Sequence, residues 1–175
     1  MELTPVMRKF VLHWGEMGTR WGVNRTVAQI HALLYIAPSP LPAEEIAATL
    51  SVARSNVSTS LKELQGWGII RTAPILGDRR EHFESLRDVW EMFQIVMDER
   101  KKREIDPTLV LLRDCVAEAK QSKDEAVTRD RLEQLLGFFE SMSTWYSQIR
   151  RLPTGAVIKF VKMGSRIGKI LGVAG

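Results

Sequence analysis

The stretch LPAEEIAATLSVARSNVSTSLKELQGWGIIRTAPILGDRREHFES, residues 41–85, decides the fold. Its first part predicts two helices, one over residues 43–50 and one over residues 53–66. Each helix repeats apolar residues at helical spacing. These residues are Ile46, Ala47 and Leu50 in the first helix, and Ala53, Val57, Leu61 and Leu64 in the second. Because only Ser51 and Val52 separate the two helices, they must cross steeply, as in a helix-turn-helix.

The second helix has a polar face opposite its apolar one. This face carries small hydroxyls, an amide and cations, on Arg54, Ser55, Asn56, Ser58, Thr59 and Lys62. Arg54, Ser55 and Lys62 suit contacts to phosphate. Asn56, Ser58 and Thr59 suit base edges in a major groove. We therefore expect residues 53–66 to be a recognition helix for double-stranded DNA. The alternative is an exposed polar surface of a winged helix that binds protein, because a fold does not determine a function.

A predicted β-hairpin follows this helix. Residues 69–72 and 81–84 are β-prone, and residues 77–80 form a tight turn with Arg79 and Arg80 at its tip. Such a tip suits a phosphate or a narrow minor groove. The alternative is an internal ion pair of one arginine with Asp78, and we expect at least one of the two to face DNA. Because Pro74 lacks a backbone donor, we place the first strand at a sheet edge.

These residues resemble the MarR superfamily, and most of all its GbsR branch of homodimeric bacterial transcriptional repressors. The resemblance rests on residues 45–64, 68–70 and 77–80, with similar flanks at 10–25 and 106–114. It implies a DNA-binding repressor and, in some members, a quaternary ammonium effector. Ala53 departs from the family, which usually has a capping serine there. This change weakens the start of the helix by about 1 kcal/mol.

Composition suits a cytoplasmic protein. The chain has 175 residues, 45% of them hydrophobic, and a formal net charge of +4, which permits an anionic partner. The single cysteine, Cys115, excludes an internal disulfide and suits a reducing compartment. The first residues lack the apolar core of a signal peptide, and no apolar run approaches the length of a transmembrane helix. As a DNA-binding protein it is expected at the nucleoid.

Amphipathic helices are predicted on both sides of the winged helix. The first begins at Thr4-Pro5, and Asn24 caps the second. After the hairpin, Ser85 and Asp88 are expected to open a helix that ends in the charged run 98–104. Asp106-Pro107 starts the next helix, and a capping box at 122–125 starts a longer one. That longer helix carries near-heptad apolar residues: Leu132, Leu135, Leu136, Phe139, Met142, Tyr146 and Ile149.

The apolar faces of these helices are larger than one small core can bury. We therefore expect a homodimer with two-fold symmetry, which would bind a palindromic operator. The predicted fold class is mainly α: a winged helix-turn-helix with a small two-stranded wing plus N- and C-terminal dimerisation helices. The predicted domains follow from it. They are residues 1–23 (N-terminal helix of the dimer region), 24–85 (DNA-binding domain), 86–152 (helical dimerisation region) and 153–175 (basic amphipathic C-terminal helix).

The predicted C-terminal helix, residues 154–171, has a basic face made of Lys159, Lys162, Arg166 and Lys169. Three readings stay open for it: contact with an anionic membrane surface, contact with DNA phosphate, or packing against the dimer with a solvated basic face.

No arrangement of residues points to catalysis or to metal binding. His13, His31 and His82 match no metal-ligand spacing, and no catalytic triad, phosphate loop or carboxylate pair is visible. We therefore predict that the protein is not an enzyme and needs no metal or cofactor. Cys115 is read as a small packed side chain, with redox sensing as the alternative.

Aromatic residues are frequent on the helices outside the winged helix. They are Trp14, Trp21, Trp90, Trp145 and Tyr146. They fit core and interface packing. The alternative is an aromatic cage for a cationic effector such as a quaternary ammonium compound.

Together these patterns predict a transcriptional regulator that binds DNA, expected to be a repressor and to respond to an effector. The alternative is a non-catalytic winged-helix module that docks protein or an anionic membrane surface.

Overall fold

Eight α-helices and three short strands make up the residues that this computed structural model describes, 1–121 and 126–163. In chain order they are α1 (Pro5–Arg20), α2 (Arg25–Ile36), β1 (Leu41–Pro42), α3 (Ala43–Leu50), α4 (Arg54–Trp67), β2 (Ile70–Thr72), β3 (His82–Ser85), α5 (Val89–Arg100), α6 (Asp106–Ala119), α7 (Ala126–Arg150) and α8 (Thr154–Met163). A π-helical turn, Lys101–Ile105, joins α5 to α6. The predicted class, a mainly α winged helix-turn-helix, is confirmed.

Two compact units divide the chain between Val96 and Met97, inside α5. The four predicted domains, with boundaries after residues 23, 85 and 152, stay a prediction.

Helix α2 lies at the centre of the first unit, packed against α1 and α4. Its residues Ile30, Leu33 and Leu34 are completely enclosed. Side-chain caps begin both α1 and α2, as predicted. The Thr4 hydroxyl accepts a hydrogen bond from the Met7 amide at 3.3 Å, and the Asn24 Oδ1 accepts one from the Thr26 amide at 2.8 Å.

The helix-turn-helix is formed by α3 and α4. Ser51, with φ 55°, turns the chain after α3, and the Val52 amide donates to the Ala47 carbonyl at 3.1 Å. Helix α4 begins one residue later than predicted, because Ala53 occupies the N-cap position and makes no side-chain cap. Gly68, with φ 80°, ends α4 in the left-handed conformation that glycine adopts without strain.

Three strands form the sheet, in the antiparallel order β1-β3-β2. The strand β2 lies at an edge, as the position of Pro74 predicted. The prediction of two strands was incomplete, because Leu41 pairs with Phe83 and adds β1. A strand of two residues has no alternation that a sequence pattern can show, and Pro40 and Pro42 around Leu41 indicated only helix boundaries.

The helix after the wing begins later than predicted. Ser85 belongs to β3, and Asp88 alone caps α5, since its Oδ1 accepts from the Trp90 and Glu91 amides at 2.8 and 3.0 Å. At the other end, α5 stops at Arg100, within the charged run as predicted, and the π-helical turn leads from there into α6. Ion pairs one turn apart span this run, such as that of Arg103 with Glu99 at 3.7 Å.

In the second unit, α6 packs along α7. The apolar face predicted for α6 is buried, namely Leu109, Leu112, Val116 and Ala119. Asp98 is tied to α7, because it accepts hydrogen bonds from the Tyr146 hydroxyl at 2.6 Å and from Arg150 Nε at 2.8 Å. Burial and the bond to Asp98 raise the pKa of Tyr146 far above its usual value.

Much of the apolar face of α7 is exposed in the single chain: Leu135, Phe138, Met142 and Trp145 all have large exposed fractions. Cys115 on α6 is partly buried. The predicted capping box at 122–125 lies outside the described residues, as do Arg166 and Lys169 of the predicted basic face. Lys159 is described and is exposed on α8.

Candidate nucleic-acid interface

All six residues predicted to contact DNA from the recognition helix lie exposed on α4. The opposite side of α4 is anchored in the core, where Val57 and Leu64 are completely enclosed and Leu61 is buried. The polar face is therefore presented on a helix whose position the core determines. Such rigid support is what a surface needs if it is to match a groove of DNA.

Arg54 is engaged at the start of this face. Its Nη2 lies 2.5 Å from Oε1 of Glu44 on α3. The guanidinium remains mostly exposed, so a phosphate could replace the carboxylate as its partner. Further along the helix, the Thr59 hydroxyl donates to the Ser55 carbonyl at 3.1 Å, which leaves its oxygen able to accept a bond from a base.

The two arginines at the tip of the wing have different environments. The Asp78 carboxylate accepts from the Arg80 amide at 3.0 Å and from the Arg80 guanidinium at 2.5 Å. These bonds hold the pKa of the Asp78 carboxyl well below its usual range. The internal ion pair that was the alternative for one of the two arginines is therefore formed by Arg80. Arg79 is exposed and has no polar partner among the described residues.

Further bonds make the base of the wing rigid. Arg71 and Glu84 stand opposite each other on β2 and β3 and form an ion pair at 2.8 Å. The buried ring of His82 donates through Nδ1 to the Arg80 carbonyl at 2.9 Å. The ion pair links β2 to β3. The His82 hydrogen bond holds the chain where the tip returns to β3.

A groove of about 400 Å³ is lined by residues of both α4 and the wing. Its lining includes Arg54, Ser58 and Lys62 of α4 and Arg80 of the wing. Carboxylates of Glu44 and Glu81 line it too. The cations predicted from separate parts of the sequence thus border one concave surface, which is the arrangement expected for a phosphate backbone.

Residues 21–81, from the end of α1 to the residue before β3, match the family model described as "MarR family". The HTH-type transcriptional repressor GbsR of Bacillus subtilis (strain 168) is 22% identical over 155 residues, which cover 83% of this chain and 85% of GbsR. The predicted resemblance to GbsR-like members of the MarR superfamily is confirmed by these likenesses. They support a DNA-binding transcriptional regulator.

One solved structure has a similar fold. A crystal structure of a transcriptional regulator superimposes with a TM-score of 0.65 at 20% identity, over 83% of this chain and 96% of the other. The transcriptional regulator Tm0710 of Thermotoga maritima, 21% identical over 79% of this chain and 94% of its own, has a TM-score of 0.39, which does not establish a common fold.

An apolar cavity of about 450 Å³ lies in the first unit, away from the polar face of α4. Its aromatic lining consists of Phe10, Trp14, Trp21, Tyr35, Trp67 and Phe93. No Asp, Glu, Lys or Arg is among the described residues that line it. Trp14 and Trp21 were predicted to belong to an effector site. Tyr35 and Trp67 were not predicted to belong to this site. They lie on helices of the DNA-binding segment, and nothing in the sequence indicated that they line a cavity with residues of α1.

The other predicted effector residues lie elsewhere. Trp90 on α5 is not among the residues that line the cavity, although its ring contacts that of Phe93, with centroids 6.5 Å apart. Trp145 is exposed on α7, and Tyr146 is the partner of Asp98, both in the second unit. In the cavity itself, the Trp14 and Trp21 rings meet edge to face at 5.8 Å.

His31 is a titratable group in the cavity wall. Burial among apolar groups lowers its pKa from 6.5 to about 4, so the ring is neutral at pH 7. Part of the ring surface opens into the cavity, and Nε2 lies 3.2 Å from the Ser85 hydroxyl. The side chain therefore offers a neutral hydrogen-bonding group within an otherwise apolar surface.

Within the described parts of the chain, no group of three or more His, Cys, Asp and Glu side chains is placed to hold a metal ion. In the same residues, no helix combines the length and the hydropathy needed to cross a membrane.

Proposed function

We propose that this protein is a homodimeric transcriptional repressor that binds a palindromic operator through α4 and the wing, under the control of an effector. The observation that carries the proposal is the groove in which Arg54, Lys62 and Arg80 border the exposed face of α4. A concave surface bordered by three cationic side chains, beside a helix whose outer residues are small and polar, fits one side of a DNA duplex.

Roles follow from the surroundings of each side chain. Arg54, Ser55 and Lys62 contact phosphates, and Arg54 exchanges Glu44 for a phosphate on binding. Asn56, Ser58 and Thr59 face base edges in the major groove. At the wing, Arg79 enters the adjacent minor groove, while Arg80 holds Asp78 and shapes the tip.

A second copy of the chain is the proposed partner of the exposed apolar residues on α7. Leu135, Phe138, Met142 and Trp145 are costly to leave in water, and a second copy would remove them from it. Two-fold symmetry would place two α4 helices about one turn of DNA apart. The relative GbsR is named as a repressor, which supports repression as the output. The proposed location is the nucleoid in the cytoplasm.

The cavity beside α1 is the proposed effector site. A quaternary ammonium compound is the proposed ligand class, since aromatic faces attract such cations. Tryptophan fluorescence titrated with choline and with betaine tests this: a saturable change supports it, and no change at millimolar ligand removes it.

DNA binding is tested by fluorescence anisotropy with a duplex from the region upstream of the gene, titrated at several salt concentrations. Arg79→Ala is expected to weaken binding and to lower the slope of log K against log salt by about 0.9, the value for one lost phosphate contact. Arg131→Ala, which removes an exposed charge from α7, is the matched control and should leave the slope unchanged. Equal slopes for Arg79→Ala and the parent would mean that the wing does not contact DNA.

A further inference from the structure

The turn of the wing carries an exposed apolar residue. Leu76 is completely exposed, and its neighbour Ile75 is 39% exposed. Neither residue belongs to the core, and in the single chain a leucine in such a position gains nothing from burial. This leucine lies in the turn of the wing, three residues from Arg79, and is fully available for contact with a partner.

The tip that carries Leu76 is an ordered turn. The Asp78 amide donates to the Ile75 carbonyl at 3.1 Å, which closes the chain around Leu76. Gly77 has φ 86°, a conformation that a residue with a Cβ adopts only under strain. Asp78 is in turn held by the amide and the guanidinium of Arg80. Leu76 is therefore presented in a defined position, which lowers the entropy lost on binding.

We propose that Leu76 enters the minor groove of DNA together with Arg79 and wedges against a base step, so that the wing bends the duplex. This inference rests on the proposed function. The walls of a minor groove are deoxyribose rings, which offer apolar contacts to a leucine, and its floor is negative, which attracts the arginine. Apolar side chains placed between base steps unstack them and kink DNA in several minor-groove binding proteins.

Such a wedge makes a contribution to specificity that needs no hydrogen bond to a base. Unstacking is least costly at flexible pyrimidine–purine steps such as TA and CA. Leu76 should therefore favour sites with such a step beneath the wing. Arg79 should favour a narrow, A·T-rich groove beside it, so the two side chains would select different features of the same flank.

The experiment uses a 30-base-pair duplex that the full-length parent protein selects from a randomised pool, with a fluorophore at each end. Energy transfer between the ends reports the bend, and anisotropy reports affinity. Leu76→Ser is expected to bind about tenfold more weakly, the order of effect of removing one buried leucine, with a smaller bend and an unchanged salt slope. Leu76→Met keeps an apolar wedge and should retain the bend, whereas Arg79→Ala should lower the salt slope.

The outcomes separate this inference from the function it rests on. If the parent protein selects no sequence and binds no duplex, the proposed function fails. If the parent binds but Leu76→Ser matches it in affinity and bend, the wedge is refuted while DNA binding stands. A change in oligomeric state of Leu76→Ser, measured by size-exclusion chromatography with light scattering, would assign the leucine to a protein contact and overturn the inference. Circular dichroism of each variant confirms that the exposed substitutions leave the fold intact.

Discussion

Replacing His31 with glutamine is expected to make the protein less sensitive to mild acid. Burial lowers the pKa of His31 from 6.5 to about 4, so between these values the unfolded chain binds a proton that the folded chain does not. Stability from this residue is therefore complete above about pH 6.5 and is lost as the pH falls towards 4. Glutamine does not titrate, yet it keeps a polar group near the Ser85 hydroxyl.

The size of the effect follows from the two pKa values. With 1.36 kcal/mol for each pKa unit, the free energy of unfolding should fall by about 2 kcal/mol between pH 7 and pH 5 because of His31 alone. Carboxylates and other groups add their own dependence on pH. Their contribution is common to the parent and the variant, so the difference between the two proteins isolates that of His31.

The assay is urea unfolding at pH 7 and pH 5, followed by tryptophan fluorescence at one fixed protein concentration. His13→Gln on the exposed side of α1 is the matched control and should behave as the parent does. If His31→Gln loses as much stability between the two pH values as the parent, the buried neutral histidine does not determine the acid response.

Substitutions of glycine and alanine should test the packing of the winged helix. Gly18→Ala is expected to destabilise the fold by about 1–3 kcal/mol, because its new Cβ would lie 2.4 Å from the Cβ of Ala28 and force α1 away from α2. Gly66→Ala, in open space on α4, should instead stabilise by about 0.5–1 kcal/mol, so equal effects in urea unfolding would contradict the close approach at Gly18. Ala53→Ser should add a cap to α4 and stabilise the fold by about 1 kcal/mol, and an unchanged urea midpoint would show that the cap does not form.

The winged helix was predictable because its signals are local. The apolar spacing of α3 and α4, the short joint between them and Gly68 after α4 all act within a few residues of one another. The strand β1 was not predictable in this way, since it exists only through its pairing with β3. The same applies to Ser85, whose hydroxyl meets His31 at a distance of 54 residues along the chain.

The candidate site was predictable in composition and less so in the roles of its residues. The sequence 77–80 showed two arginines and one aspartate, but Asp78 precedes both arginines, and only the turn determines that Arg80 is its partner. Arg54 likewise looked free, because Glu44 is ten residues away and approaches it only across the helix-turn-helix. Contacts of this kind depend on how helices cross, which spacing along the chain does not specify.

The lining of the apolar cavity, too, could be predicted only in part from spacing along the chain. Trp14 lies on the apolar stripe of α1, and Trp21 directly follows the end of that helix. The sequence could therefore group the two residues. Trp67 ends the recognition helix, and its role beside α1 depends on the packing of α4 on α2.

The central claim, that the exposed face of α4 reads DNA, is tested most directly by selecting duplexes from a randomised pool with the parent protein and with Asn56→Ala. The account predicts that the parent selects a two-fold symmetric sequence, and that Asn56→Ala relaxes the preference at one position in each half-site with an unchanged salt slope. Selection of the same sequence with the same affinity by both proteins would contradict it.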